Sequence, residues 1–198
     1  DALGGYIKGR LEKAGAQVRV VPQSEVGDHL VANVGEGDKQ TLILCHMDTV
    51  WPTGTIQERP FRVEEGIGYG PGILDMKAGI AITLHALEIL KAHDIAPQQR
   101  VRIIINSDEE VGSSSSRQLI EDEAKKSTQV FCLEPGAGTE GALKTGRKGV
   151  GMFQVKVTGI AAHAGNEPEK GISAIEEMSH QVLRLHSLTD FSRGTTVN

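Results

Sequence analysis

The sequence holds one histidine and five carboxylates at positions where side chains could act together in chemistry. Each of them ends an apolar run, follows one closely, or lies in a Gly-rich turn. They are His46, Asp48, Asp75, Glu109, Glu110 and Glu134. Carboxylates gathered at one place repel each other, and a divalent metal ion is the usual means of holding them together. The pattern therefore predicts a metal site.

Each of these residues also has an interpretation that involves no metal. His46 could be a hydrogen-bonded histidine of the core, and Asp75 could cap the N-terminus of a helix. Glu109 and Glu110 could favour the positive end of the following helix dipole, and Glu134 could belong to a turn. Because all of them fall at the ends of apolar runs or in a turn beside them, the metal site explains the whole set better.

The spacing of the residues suggests separate roles. His46 and Asp48 are two positions apart, so on a strand their side chains point to the same face. Asp48 could then accept a hydrogen bond from the second ring nitrogen of His46 and fix its tautomer. Glu109 and Glu110 are neighbours beyond the end of a strand, where one could bind metal and the other could take a proton from water.

The apolar runs predict the sheet that would carry these side chains. Residues 42–45, 101–105 and 130–133 are nearly continuous apolar runs, which is typical of parallel strands buried on both faces. Helical periodicity covers residues 76–93 and 114–126 between them. Strand and helix therefore alternate in an α/β layer, and sites in such sheets lie at the carboxyl ends of the strands.

The pattern changes after residue 149. Residues 153–157 alternate between apolar and polar, as in a strand with one face in water, and residues 171–187 have an apolar helical face. We therefore expect a domain boundary near residues 147–149. Residues 1–147 would form the metal-binding catalytic domain, and residues 148–198 would begin a second one.

Composition narrows the class of protein further. A net charge of −5 and an aromatic content of 4% argue against a nucleic-acid partner. No apolar run approaches the roughly 18 residues that a membrane span needs. The chain begins at Asp1 without a methionine, and we expect it to be a fragment. A cytoplasmic location is favoured, and a periplasmic or secreted one is the alternative if a signal peptide precedes the chain.

Five motifs follow one another in the order of a known family. They are residues 46–50 (HMDTV), 70–77 (GPGILDMK), 108–113 (DEEVGS), 134–135 (EP) and 162–165 (AHAG). In these motifs the chain resembles the co-catalytic zinc exopeptidases. That family includes glutamate carboxypeptidases, acetylornithine deacetylase, succinyl-diaminopimelate desuccinylase and aminoacylase, and the resemblance is greatest to the glutamate carboxypeptidases.

The resemblance implies a site with two Zn²⁺ ions, although one histidine with carboxylates also tolerates Co²⁺ or Mn²⁺. His46 and Glu134 would each bind the first zinc, Asp75 would bridge both ions, and Glu110 would bind the second zinc. Glu109 would be the general base. The resemblance further implies that Asp48 orients His46 and that the peptide bond after Asp75 is cis.

The second domain would resemble a ferredoxin-like α+β lid through which two full-length chains form a homodimer. His163 would reach the substrate carbonyl in the partner's active site, although a histidine in a Gly/Ala turn, taken by itself, more often faces solvent. The family's histidine ligand for the second zinc is expected beyond residue 198, so we predict little or no activity from these 198 residues alone.

The reaction that the resemblance implies is hydrolysis of an amide or peptide bond next to a free carboxylate, releasing a C-terminal glutamate from a peptide or small molecule. N-acyl amino acid deacylation is the alternative within the family. A metal-binding or dimerisation module without activity is the alternative outside enzymes, although such a module would not need Glu109. Nucleotide binding by the Gly-rich turn is disfavoured, because no phosphate-loop Lys-Ser or Lys-Thr follows it.

Overall fold

The structure is a computed structural model that describes residues 2–198. The chain divides into two compact units, one ending at Thr145 and the other spanning Gly146–Asn198. The helices of the described chain are α1 (Ala2–Lys13), α2 (Thr55–Glu58), α3 (Ala78–Ala92), α4 (Arg117–Lys125) and α5 (Ala174–His186). Its strands are β1 (Gln17–Val21), β2 (His29–Val34), β3 (Gln40–His46), β4 (Arg62–Glu64), β5 (Ile67–Tyr69), β6 (Arg100–Asn106) and β7 (Gln129–Cys132).

Five of the strands form one mixed sheet in the order β1-β2-β6-β3-β7. Strand β2 is antiparallel to both β1 and β6, whereas β3 runs parallel to β6 and to β7. The carboxyl ends of β3, β6 and β7 therefore meet at one edge of the sheet. Strands β4 and β5 form a separate antiparallel hairpin.

The sheet is covered on both faces, and strand β6 shows how. Its three fully buried isoleucines point alternately to the two faces of the sheet. Ile103 and Ile105 belong to a cluster that includes residues of α1 and α3, and Ile104 belongs to a second cluster against which residues of α4 pack. An apolar run without alternation suits this position, because each face of the strand has its own core. The prediction of an α/β sheet with helices on both faces is confirmed.

The prediction that residues 130–133 form a strand buried on both faces is wrong in its burial. Strand β7 exists and pairs with β3, but every residue of it is exposed, with Val130 at 44% and Phe131 at 50%. The strand lies at the end of the sheet order, and among the described residues no further strand pairs with its outer side. The apolar composition of β7 therefore does not mean that the strand is buried.

Helix α3 approaches Leu133, the residue that follows strand β7, so closely that only glycine fits at one position of the helix. A Cβ atom added to Gly79 would overlap the backbone carbonyl oxygen of Leu133 and lie 2.9 Å from Met76 Cε. Since Leu133 directly precedes Glu134, the contact also fixes where that carboxylate begins.

Replacing Gly79 with alanine is expected to lower the free energy of unfolding by about 1–3 kcal/mol, because the helix or the strand must shift. Chemical denaturation of the 198-residue chain would measure it. The matched control is Gly5→Ala in helix α1, where an added Cβ meets nothing within 4 Å. There we expect a stabilisation of up to about 1 kcal/mol from helix propensity. Equal effects at the two positions would contradict the close approach.

The second unit contains helix α5, which Ser173 caps by accepting a hydrogen bond from the Glu176 N–H at 3.1 Å. The predicted strand over residues 153–157 is wrong, because no strand is assigned there. Within residues 146–198 strand pairing is limited to isolated bridges, such as Ile160 with Ile172. A strand needs a neighbour to accept and donate its backbone hydrogen bonds, so alternation alone did not suffice. That this unit begins a ferredoxin-like lid stays a prediction.

In the part of the chain that the structure describes, none of the helices combines the length and the apolar character that a bilayer crossing requires.

Candidate metal centre

Three parallel strands bring the predicted side chains to one edge of the sheet. His46 is the last residue of β3, and it pairs in register with Asn106, the last residue of β6. Leu44 pairs with Cys132 at the end of β7, so Glu134 follows at the level of His46. The topology therefore places the histidine and the carboxylates at one edge, as parallel strands of an α/β sheet do.

The Nε2 atom of His46 is the centre of the cluster. It lies 2.9 Å from Asp75 Oδ1, 3.3 Å from Glu134 Oε1 and 3.9 Å from Glu109 Oε2. One ligand atom each from His46, Asp75 and Glu134 lies within 4.8 Å of the other two. An imidazole nitrogen and two carboxylate oxygens are a donor set that suits zinc and related divalent metals, so the residues present fit such an ion.

The other ring nitrogen of His46 faces Asp48. Nδ1 lies 3.2 Å from the Asp48 backbone oxygen and 3.3 Å from its Oδ1. The second carboxylate oxygen, Oδ2, accepts a hydrogen bond from the Glu110 N–H at 2.9 Å. Asp48 thus links the end of β3 to the turn that carries Glu110, and Glu110 Oε1 in its turn accepts a hydrogen bond from the Val50 N–H at 3.2 Å.

Asp75 reaches the cluster from an irregular turn before helix α3. Residues Ile73–Lys77 form a kinked segment with non-helical backbone angles at Asp75 and Met76, and the peptide bond between these two is cis, as the resemblance implies. Met76 is fully buried, and its sulfur accepts a hydrogen bond from the His46 N–H at 3.0 Å. The Asp75 turn is therefore tied directly to the strand that ends in His46.

The carboxylates of the cluster disfavour one another's charge. Burial raises the pKa of Glu134, and the charges of Asp75 and Glu109 raise it further. Burial and the charge of Asp75 likewise raise the pKa of Glu110. Such mutual repulsion is what a divalent cation would relieve.

Lys77 and His46 are the cationic groups that act on this cluster. Burial lowers the pKa of Lys77, against the opposing charges of Asp48, Glu110 and Asp75. Burial alone would lower the pKa of His46 too. The hydrogen bond with Asp48 and the charge of Glu134 outweigh it and raise that pKa to about 9.

The sequence analysis missed the residue that builds the Glu109–Glu110 turn. Asp108 is fully buried, and its carboxylate accepts five hydrogen bonds. The donors are the Asn106 side-chain amide and the backbone N–H and hydroxyl groups of Ser115 and Ser116. Burial raises the pKa of Asp108, but hydrogen bonds from Ser116 and Ser115 outweigh it and hold the pKa well below its usual range. The run of serines at 113–116 was the available signal.

His163 lies in the second unit and is exposed. Its Nδ1 accepts a hydrogen bond from the Gly165 N–H at 3.1 Å. In the neutral ring the proton is then on Nε2, which leaves that nitrogen as a donor toward solvent or a ligand. The remaining predicted residues, His46, Asp48, Asp75, Glu109, Glu110 and Glu134, are all brought together in the first unit.

A mixed sheet with a histidine and carboxylates gathered at the carboxyl ends of its parallel strands defines a domain of the metallohydrolase class. Comparison with known families agrees with this. The chain belongs to peptidase family M20/M25/M40, whose family model matches residues 42–196. The resemblance found in the motifs is thereby confirmed.

Two curated relatives show how far the similarity extends. Carboxypeptidase G2 of Pseudomonas sp. (strain RS-16) is 38% identical over 200 residues, which cover 100% of this chain and 48% of the relative. Acetylornithine deacetylase of Proteus mirabilis (strain HI4320) is 28% identical over 195 residues, which cover 96% of this chain and 49% of the relative. The chain therefore spans about half the length of the curated relatives that it matches.

Solved structures share the fold. A tripeptidase from Staphylococcus aureus has a TM-score of 0.68 at 20% identity over 93% of this chain and 50% of its own. Aminopeptidase PepT from Bacillus cereus has a TM-score of 0.66 at 22% identity over 91% of this chain and 50% of its own.

Proposed function

We propose that the protein carrying this sequence hydrolyses an amide bond next to a free carboxylate, with release of a C-terminal glutamate as its principal reaction. The observation that carries the proposal is the convergence of Asp75, Glu134 and Glu109 on Nε2 of His46. The similarity to a protein named carboxypeptidase G2 supports the carboxypeptidase reaction.

Two zinc ions are proposed as the cofactor. His46 and Glu134 would hold the first ion, Asp75 would contribute to both, and Glu110 would hold the second. Zinc bound there would supply a Lewis acid that lowers the pKa of water and polarises the substrate carbonyl. The repulsion between the carboxylates of this cluster supports a bound cation.

The residues around the ions would each have one task. Glu109, which lies 3.9 Å from His46 Nε2 and is half exposed, would take a proton from water and give it to the leaving amine. Asp48 would orient the ring of His46 through Nδ1 while it holds the Glu110 N–H. The Glu109 side chain is 48% exposed and therefore accessible to water, which supports its role as the base.

His163 is proposed to donate from Nε2 to the substrate carbonyl oxygen in the active site of a second copy. The hydrogen bond from Gly165 to Nδ1, which leaves Nε2 as the donor, supports this role. Two copies would then pair through their second units. Sedimentation of a full-length protein carrying this sequence would test the pairing, and a monomer at working concentration would contradict it.

Deacylation of N-acyl amino acids is the second candidate, favoured by the similarity to acetylornithine deacetylase. Profiling a full-length protein carrying this sequence against N-acyl glutamates and N-acetylated ornithine would separate the two reactions. We expect faster turnover of the acyl glutamates. Preference for N-acetylornithine would favour the deacylase, and bound metal without turnover of any acyl amino acid would favour a binding module.

Zinc affinity of the chain is expected to rise steeply with pH. The pKa of His46 is raised to about 9 in the metal-free chain, so the ring carries a proton at neutral pH that a metal must displace. The apparent affinity should then increase about tenfold for each pH unit below that value. The protonated ring of His46 also stabilises the metal-free fold. This contribution to the free energy of unfolding is fully present below about pH 6.5, the pKa of histidine in an unfolded chain, and it is lost as the pH rises through the pKa of His46 in the folded chain.

Competition with a chromophoric chelator between pH 6.5 and 8 would measure the affinity. The variant His85→Gln, which changes an exposed histidine of helix α3, should leave both the affinity and its slope unchanged. If the affinity of the unchanged chain does not vary with pH, metal binding does not displace a proton from His46.

A further inference from the structure

A chain of buried hydrogen bonds leads from strand β2 to the turn that carries Glu109 and Glu110. His29, the first residue of β2, is 0% exposed. Its Nδ1 lies 3.2 Å from the backbone N of Ser107, and its Nε2 lies 3.0 Å from Ser115 Oγ. Ser115 Oγ in its turn lies 2.7 Å from Asp108 Oδ2. The ring therefore bridges the end of β6 and the serine run.

The direction of each bond follows from the donors available. The backbone N–H of Ser107 can only donate, so Nδ1 of His29 must accept. Ser107 Oγ also lies 3.2 Å from Nδ1, but its proton is engaged by the Gly27 carbonyl oxygen. A neutral ring that accepts at Nδ1 carries its proton on Nε2, and that proton is donated to Ser115 Oγ.

The hydroxyl of Ser115 has one proton, and the carboxylate of Asp108 can only accept. The Ser115 proton is therefore given to Asp108, which leaves the hydroxyl oxygen to accept from His29. The backbone N–H of Ser115 also donates to the same carboxylate oxygen, at 2.8 Å. The order of donation is thus Ser107, His29, Ser115, Asp108, with no ambiguity at any step.

The turn that carries the catalytic carboxylates lies between two anchors. Behind it, the Asp108 carbonyl oxygen accepts from the Ser113 N–H at 2.7 Å, and the Asp108 carboxylate binds Ser115 and Ser116. In front, Asp48 accepts from the Glu110 N–H at 2.9 Å. Residues 109–111 form a short 3-10 turn between these anchors, so a change in the rear anchor would move Glu109 and Glu110.

We propose that His29, as the neutral tautomer protonated on Nε2, is a positioning residue that sets the Glu109–Glu110 turn through Ser115 and Asp108. It does not touch substrate or metal. The kinetic part of this proposal rests on the proposed function, whereas the tautomer and the effect on metal affinity do not depend on which substrate is hydrolysed.

The tautomer can be read directly from the 198-residue chain. Long-range ¹H–¹⁵N correlation spectra at pH 7.5 should show, for His29, a bare Nδ1 and a protonated Nε2. The variant His29→Gln identifies the signals by their loss. A ring protonated on Nδ1, or on both nitrogens, would overturn the proposal whatever the metal site does.

Metal affinity tests the positioning role, with Co²⁺ alone as the probe. Removing a partner that orients a metal ligand typically costs 10- to 100-fold in affinity, and for this more distant residue we expect about tenfold in His29→Phe. His29→Gln should restore most of the affinity, because its side-chain amide can donate to Ser115. Ser115→Ala should reproduce the loss with His29 intact. The control, His93→Gln, alters an exposed histidine and should change nothing.

In a full-length protein carrying this sequence, His29→Phe and Ser115→Ala should lower kcat with KM unchanged. Folded His29→Phe and Ser115→Ala variants that keep Co²⁺ affinity and kcat within twofold would overturn the positioning role. If His29→Phe does not fold, Ser115→Ala and the tautomer still decide the question. Absence of Co²⁺ binding by the unchanged chain would refute the proposed metal centre, and with it the positioning role, while the tautomer would show separately whether the hydrogen-bond order is right.

Discussion

Replacing Glu109 with glutamine is expected to reduce turnover by about 10²- to 10⁴-fold in a full-length protein carrying this sequence, because the amide cannot take a proton. Bound zinc should stay, since Glu109 is proposed as the base and not as a ligand. Initial rates on an N-acyl glutamate, together with metal content measured on the same sample, would give both quantities.

The matched control for this experiment is Glu140→Gln, which changes an exposed carboxylate to the same amide. It should leave turnover within the error of the measurement. Nearly unchanged turnover in the Glu109 variant with zinc still bound would show that another group moves the proton. Loss of zinc along with activity would instead place Glu109 among the ligands.

Replacing Asp108 with alanine is expected to lower the free energy of unfolding by about 3–5 kcal/mol. The carboxylate accepts five hydrogen bonds in a fully buried site, and each donor left without a partner there costs about 1–3 kcal/mol before relaxation. Urea denaturation followed by circular dichroism would measure the change in the first unit.

The comparison for Asp108 is Asp28→Ala in the same unit. Asp28 is only partly buried and accepts one hydrogen bond, from the Gln23 N–H at 2.9 Å. A loss of about 1 kcal/mol or less is expected there. Similar losses for the two variants would mean that water satisfies the donors around Asp108 once its carboxylate is gone.

The strands that the sequence predicted best are those whose surroundings match their composition. Residues 101–105 are apolar throughout because β6 has a core on both faces, and residues 42–45 of β3 lie next to it. Once these strands are parallel, the residues that follow them must meet at one edge. The convergence of His46 and Glu134 could therefore be predicted without any coordinates.

Other features depended on neighbours that composition does not reveal. Strand β7 is as apolar as β6, yet its place at the end of the sheet leaves it exposed. Residues 153–157 alternate as a strand does, but strand assignment requires a partner. Asp108 could not be identified from the sequence, because its importance comes from donors seven and eight residues later, Ser115 and Ser116, which fold back around its carboxylate.

The place of β7 at the end of the sheet has a practical consequence for handling the chain. Among the described residues β7 pairs with another strand along one side only, and Val130 and Phe131 add half-exposed apolar side chains at this edge. An exposed edge strand of this kind can pair with the same strand of another chain, which leads to edge-to-edge aggregation. Concentrated solutions of the 198-residue chain should therefore precipitate slowly. Val130→Lys should prevent this precipitation, because a charge on the edge strand opposes pairing between chains.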